Sequence, residues 1–241
     1  MNKTLSLLFL LLVLSLSACA TQETVTPSQA PATETTAPAA TTQAPTEVPP
    51  TQVEPTPTLA QYTHAAFGFS FAYPSDWFGP DEYSVEQTLR LEIGSDVVYP
   101  YGTSREEQIY TLQDSYYIVI QYTQNNQNQV WQDTYQALVN LQDGESITDA
   151  RSLTTRVRQL DLGRFAGFEY IASLSETAQT EPFYARQVIL LDPLTNDLLT
   201  IMGSPSNVDL SSTPDWRQAY QAVDEANYTI FKQLIESIII E

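Results

Sequence analysis

The sequence contains a single thiol, and its surroundings indicate what chemistry that thiol undergoes. Cys19 is the only cysteine and directly follows Leu16-Ser17-Ala18, a leucine and two small residues of the kind that a signal peptidase accepts. The apolar run before it, Leu5 to Leu14, is shorter than the about 20 residues that a membrane span requires. A diacylglyceryl group on Cys19 would supply the two acyl chains that stable anchoring takes. The sequence therefore predicts a lipobox with Cys19 as the lipidation site, and plain secretion is the alternative.

Other side chains suited to covalent or acid–base catalysis are scarce. His64 is the only histidine, and Lys232 is the only lysine after Lys3. The sequence has neither a Gly-x-Ser-x-Gly motif nor a glycine-rich phosphate loop. A Ser-His-Asp arrangement around His64 stays open at this point, because its partners cannot be placed from sequence. We therefore assign no catalytic, cofactor-binding or metal-ligating residue, expect no cofactor, and predict that the protein is not an enzyme.

Carboxylates are the one abundant group that could do chemistry. They form three local groups: Asp81, Glu82 and Glu86; Glu106 and Glu107; Asp224 and Glu225. Oxygen ligands suit Ca²⁺, and paired carboxylates hydrolyse glycosidic bonds. No EF-hand spacing is present, and neighbouring acids usually form a solvated surface. Solvated acids are thus the expectation, and a cell-envelope hydrolase that uses carboxylates is the alternative function.

The charge of the chain limits its partners. The formal net charge is −19, and residues 61–241 carry 25 acidic and nine basic side chains. Such a domain repels phosphate backbones and anionic headgroups, so we expect no nucleic-acid partner. An unknown envelope protein or a glycan fits better, with Tyr83, Tyr99, Tyr101 and Tyr110 as candidate contacts in irregular segments.

Composition divides the chain into three parts. Residues 1–18 have the pattern of a lipoprotein signal peptide, 19–60 comprise the lipidated cysteine and a linker, and 61–241 form one domain. Residues 20–60 contain 12 Thr, 8 Pro and 8 Ala and no aromatic residue, a composition that predicts disorder. The expected location is the extracytoplasmic face of the cell membrane, or an outer-membrane leaflet in a host with two membranes.

Hydrophobic periodicity in 61–241 predicts an α+β fold, an antiparallel β-sheet flanked by helices. Strands are expected at 67–73, 85–93, 116–123, 153–162, 164–174, 183–191 and 198–202, and as a short closing strand at 238–240. Helices are expected at 129–141 and from Thr213-Pro214-Asp215 onward, and 94–114 as a surface excursion. Each tryptophan falls on an apolar face, which predicts that Trp77, Trp131 and Trp216 lie in the core.

Three short motifs resemble those of PsbP-like domains in bacterial lipoproteins. Phe67-Gly-Phe-Ser-Phe-Ala-Tyr-Pro-Ser-Asp-Trp77 is similar to their opening segment, Leu162-Gly-Arg-Phe-Ala166 to a mid-domain segment, and Phe231-Lys-Gln-Leu-Ile-Glu-Ser-Ile238 to their closing helix. The resemblance implies an α/β/α sandwich around an antiparallel sheet. It also implies a binding, assembly or scaffolding role, and it supplies no catalytic residue. We therefore expect a membrane-anchored extracytoplasmic lipoprotein with a non-enzymatic binding domain.

Overall fold

The computed structural model describes residues 58–104, 107–147, 153–154, 156–174, 183–211 and 215–241. The predicted signal peptide, Cys19 and nearly all of the predicted linker lie outside these ranges. The described residues contain the following strands: β1 (Leu59–His64), β2 (Phe69–Pro74), β3 (Phe78–Val85), β4 (Thr88–Gly94), β5 (Ser115–Thr123), β6 (Leu153–Thr154), β7 (Arg158–Leu162), β8 (Phe165–Leu174), β9 (Phe183–Leu191), β10 (Leu198–Ser206) and β11 (Ile239–Ile240). The helices are α1 (Gln129–Leu138) and α2 (Trp216–Glu236), with a 3₁₀ turn at Ala65–Phe67.

The strands form two antiparallel sheets. The larger is eight-stranded, in the order β3-β4-β5-β10-β9-β8-β6, with β7 also paired to β8. The smaller is three-stranded, in the order β1-β2-β11. The first and last strands of the described chain thus flank β2. An antiparallel sheet combined with two helices confirms the predicted α+β class.

One face of the large sheet is covered by the small sheet and α2. Tyr116, Ile118, Ile120 and Tyr122 of β5, which the sequence places on one face of the strand, all belong to the core on this side, and most residues between them are buried too. The core between these elements, here called the main core, includes Phe69, Phe71, Leu91, Ile118, Ile120, Leu190, Ile201, Phe231 and Leu234. Burial of these side chains holds the two sheets and α2 together.

A second, smaller core lies on the opposite face. It contains Leu138 of α1 with Phe168 and Ile189 of the sheet, and Trp131 packs against it. Asn128 caps the start of α1, since its side chain accepts the N–H of Val130 at 3.0 Å. Helix α1 covers only the part of this face near β8 and β9.

Several element boundaries differ from the sequence prediction. The strand predicted at 85–93 is present as β4 but begins only at Thr88, because Glu86 adopts a φ of 49° and turns the chain there; the preceding strand β3 was not predicted. Strand β1 was not predicted, and the segment 153–162 holds two short strands instead of one. Helix α1 ends at Leu138, six residues before Gly144.

The positions of the three tryptophans and the start of α2 can be compared with the sequence prediction. Trp77 packs against the main core and Trp131 against the second core. Trp216 is half-buried and packs edge-on against Tyr220 at 5.6 Å between ring centroids. Asp215 caps α2 by accepting the N–H of Arg217 at 3.0 Å, while Thr213 and Pro214 lie outside the described residues.

A buried ionic network joins α2 to the large sheet. The Asp224 carboxylate is fully buried and accepts hydrogen bonds from Arg186 Nη2 at 2.5 Å and from the Tyr116 hydroxyl at 2.8 Å. Arg186 Nη1 donates to Glu169 at 2.7 Å, and Glu169 also pairs with Arg158. Burial, followed by the nearby Asp224 carboxylate, raises the pKa of Tyr116, which therefore stays a donor. Every charge in this network has a partner of opposite sign.

Neutralising Asp224 is expected to destabilise the fold strongly. Asp224→Asn leaves Arg186 with Glu169, which it already shares with Arg158, as its one remaining carboxylate. Removing one partner of a buried ion pair costs about 3–5 kcal/mol. The measurement is the free energy of unfolding in urea. Glu225→Gln is the matched control, since Glu225 is the adjacent, exposed carboxylate of the same helix. Equal stabilities for the two variants would contradict a structural role for the network.

Candidate binding surface

The long connection between β4 and β5 is held by one carboxylate. Asp96 is buried and accepts hydrogen bonds from the backbone N–H of Val97 (2.8 Å), Thr111 (2.6 Å) and Leu112 (2.8 Å) and from the Thr111 hydroxyl (2.7 Å). Burial alone would raise the pKa of Asp96, but these hydrogen bonds outweigh it and lower the pKa. The two ends of the excursion predicted at 94–114 are therefore fixed to each other and to the end of β4.

This connection places an aromatic ring against the edge of the large sheet. Tyr101 lies 4.7 Å from Tyr83 of β3 between ring centroids. Arg90 of β4, which is opposite Tyr83 in the register, places its guanidinium carbon 4.9 Å from the centre of the Tyr101 ring. The Tyr101 N–H donates to Asp81 at 3.1 Å. Tyr83 and Tyr101 remain 41% and 55% exposed, so two tyrosines and an arginine form a supported surface cluster.

A second carboxylate lies beside the arginine of this cluster. Arg90 Nη2 is 3.4 Å from Glu92, which is on the same face of β4. Burial is the main cause that raises the pKa of Glu92, Asp81 raises it further, and Arg90 partly opposes both. Arg90 Nε is buried with no hydrogen-bond partner. We call Asp81, Tyr83, Arg90, Glu92 and Tyr101 the tyrosine–arginine surface.

Tyr99 and Tyr110, the other two candidate contact residues from the sequence, lie within the connection between β4 and β5. The Tyr99 hydroxyl donates to the Ile109 carbonyl and accepts the Ile109 N–H, both at 2.8 Å. The Tyr110 ring packs edge-on against Tyr99 and against Tyr117 of β5. Both are half-buried and stabilise the connection. Of the four candidate contacts, the structure brings only Tyr83 and Tyr101 together at the surface.

His64 takes part in a contact between the two sheets. Its Nδ1 accepts the N–H of Phe67 at 3.3 Å, and its Nε2 is 3.4 Å from Glu82 of β3. The Tyr62 hydroxyl donates to the same carboxylate at 2.6 Å, and burial together with Glu82 raises the pKa of Tyr62. Both ring nitrogens of His64 are engaged in an arrangement that contains no serine. It joins β1 to β3 and gives no support to a Ser-His-Asp site.

The predicted carboxylate groups do not converge. Asp224 is buried with Arg186, whereas Glu225 is exposed. Glu106 lies outside the described residues. Within the part of the chain that the structure describes, no three His, Cys, Asp or Glu side chains are grouped so that they could hold a metal ion. Lys232 forms an exposed pair with Glu236 at 3.6 Å.

A pocket of about 370 Å³ lies away from the tyrosine–arginine surface. The described residues that line it are Leu162, Gly163, Arg164, Phe165, Leu199, Ile238, Ile239 and Ile240. The guanidinium of Arg164 is 3.5 Å from Asp192 and 3.4 Å from Asp197. Neither carboxylate is among the lining residues, so the pocket does not present the facing acids that the alternative hydrolase requires.

In the described residues, no helix has both the length and the apolar character needed to cross a bilayer.

Comparisons with known proteins give no family for this chain. No family model matches it, and no curated protein matches it. Among solved structures, the crystal structure of a protein from Bacteroides thetaiotaomicron VPI-5482 resembles it with a TM-score of 0.30 and 12% sequence identity. The match covers 75% of this chain and 48% of that one, so this chain spans about half the length of that protein. A likeness at this level carries no inference about fold or function.

Asp96 is expected to make the stability of the domain depend on pH. Its pKa is lowered in the folded state, so between the folded and unfolded values the unfolded chain binds more protons. Its contribution is therefore present above the unfolded pKa of about 3.9 and is lost as pH falls through the folded pKa. Asp96→Asn should lower the urea midpoint of unfolding at pH 7. The difference in urea midpoint between this variant and wild type should become smaller below pH about 4. The exposed Asp76→Asn is the control, and a pH-independent difference for Asp96→Asn would contradict this role.

Proposed function

We propose that this protein is a membrane-anchored extracytoplasmic lipoprotein whose domain binds an envelope protein without catalysing a reaction. The observation that carries the proposal is the tyrosine–arginine surface, in which two exposed tyrosines and Arg90 are held together. Tyrosine and arginine are enriched among the residues that dominate binding energy at protein interfaces. They combine a large contact area with polar groups that fix orientation.

The support beneath this surface favours recognition. Tyr83 and Arg90 lie on paired strands of the large sheet, and Asp96 fixes the connection that carries Tyr101. A partner therefore meets side chains that are already positioned, which reduces the ordering cost of binding. None of the residues of this surface lines the pocket near β11.

The fold and the N-terminal pattern are consistent with a PsbP-like lipoprotein. Layers on both faces of the antiparallel sheet, with α2 on one side and α1 on the other, fit the α/β/α sandwich that the resemblance implies. The predicted lipobox at Cys19 and the linker up to residue 60 would hold such a domain at a distance from the membrane.

The anchor makes a direct prediction about membrane association. Cys19→Ser removes the thiol that accepts the diacylglyceryl group, so the expressed protein should shift from the detergent phase to the aqueous phase in a phase-partitioning experiment. Ser17→Ala keeps a small residue at its position and serves as the control. Unchanged partitioning of Cys19→Ser would rule out lipid anchoring through this residue.

The binding surface makes a second prediction. Tyr83→Ser combined with Tyr101→Ser should abolish retention of an envelope partner when the full-length chain is used to capture proteins from solubilised membranes. Val130→Ser combined with Leu194→Ser is the matched control, since these exposed apolar side chains lie elsewhere on the domain. Thermal unfolding of both variants checks that the fold is retained. If both double variants retain the same partner, the tyrosine–arginine surface is not the binding site.

A further inference from the structure

Strand β3 lies at the edge of the eight-stranded sheet, and β4 is its one neighbour among the described strands. An antiparallel edge strand bonds its neighbour through every second residue and directs the other backbone groups outward. Val85 and Thr88 close a two-residue turn, which makes them a hydrogen-bonded pair. By alternation, Glu82 and Ser84 direct their N–H and C=O groups to the free edge.

The side chains on this edge favour strand pairing. Tyr83 and Val85 are 41% and 50% exposed, and aromatic and β-branched residues pair well across strands. An irregularity in the register between Phe78 and Asp81 confines the regular part of the strand to Asp81–Val85. The available edge is therefore short, and it shares Asp81 and Tyr83 with the tyrosine–arginine surface.

The charges on this edge select among possible partners. Asp81, Glu82 and Glu86 lie within six residues, and Arg90, the base nearest to them along the chain, already contacts Glu92 and Tyr101. If two copies of β3 paired antiparallel around Ser84, Glu82 of each copy would lie opposite Glu86 of the other. Like charges in that position oppose pairing in this register, and the net negative charge that both copies carry opposes pairing in any other register.

We infer that β3 binds an extended segment of an envelope protein that carries lysine or arginine at alternate positions. This inference rests on the proposed function and specifies the partner of the same surface. The added strand would bond to the backbone of Glu82 and Ser84. Its side chains on one face would lie beside Asp81 and Tyr83, where a cation meets a carboxylate and an aromatic ring.

The charge of the domain supports a cationic partner. Residues 61–241 carry 25 acidic and nine basic side chains, so the field of the whole domain attracts a basic segment. Asp81, which lies on the same face as Tyr83, accepts the Tyr101 N–H and has acceptor sites for further donors. A neutral or acidic segment of the same shape would gain the backbone bonds without this attraction.

The test uses the full-length chain in detergent and a seven-residue probe, acetyl-Lys-Thr-Lys-Val-Lys-Thr-Lys-amide. Hydrogen exchange followed by NMR should show that the probe protects the amides of Glu82 and Ser84, while binding weakens as salt is raised. The same peptide with glutamate in place of lysine should not bind. A lysine peptide methylated on its backbone nitrogens, which cannot pair as a strand, should not protect these amides.

Variants on the edge separate strand pairing from other contacts. Ser84→Pro removes an N–H that faces outward, a position where proline is tolerated, and should abolish binding, whereas Ser84→Ala should retain it. Glu86→Lys should weaken binding about threefold at low salt, the range of one exposed charge pair. Asp161→Lys on β7 makes the same charge change at the opposite end of the sheet and is the control.

The outcomes distinguish this inference from the function on which it rests. Absence of binding, or binding that leaves Glu82 and Ser84 unprotected, overturns the inference, and so does a dimer in sedimentation that Ser84→Pro dissolves. Binding of soluble cell-wall glycan fragments in place of the peptide also overturns it. In each case the capture experiment with the Tyr83 and Tyr101 variants decides the proposed function separately, because those variants leave the backbone of β3 unchanged.

Discussion

The contact between Asp224 and Arg186 is the constraint on which the arrangement of the domain depends. A fully buried carboxylate is costly unless it is paired, so α2 can lie only where this guanidinium is within reach. Gly203 makes the position possible, because a Cβ there would lie 2.2 Å from the Tyr116 hydroxyl that also binds Asp224. Apolar packing supplies the energy that holds α2 on the large sheet. The Asp224–Arg186 pair fixes where on the sheet the helix lies.

Helix α2 and the small sheet close one face of the large sheet, and α1 covers part of the other, so the part of that second face on β3 and β4 carries the tyrosine–arginine surface. In the register of β3 and β4, Glu82 lies opposite Leu91 of the main core, whereas Tyr83 lies opposite Arg90 on the other side. The residues that stabilise the domain and those that form the tyrosine–arginine surface therefore alternate along the same strands. Substitutions at the surface can change the partner without disturbing the main core, because the two sets share a backbone but not a face.

Features encoded by local periodicity were predictable from the sequence, and features that join distant segments were not. The alternation in β5 and the helical pattern of α2 each identify a buried face from neighbouring residues alone. The turn at Glu86 escaped prediction because its positive φ occurs without glycine or asparagine. Asp224 was grouped with Glu225 as a surface acid, since its partner Arg186 is 38 residues away. Exposed Tyr83 and Tyr101 could not be separated from half-buried Tyr99 and Tyr110 without the contacts of the connection.

The place of β1 determines how the domain responds to mechanical load. Tension along the chain from its N-terminal side enters at Leu59, which is paired with Pro74 at the open end of the β1–β2 hairpin. The tension then loads one β1–β2 residue pair at a time, and β1 separates from β2 progressively toward the turn at Ala65–Phe67. Since each backbone hydrogen bond contributes only about 1 kcal/mol net, β1 is the first element to yield. Peeling β1 also separates Tyr62 and His64 from Glu82, so the contact between the two sheets at β3 is lost together with the strand.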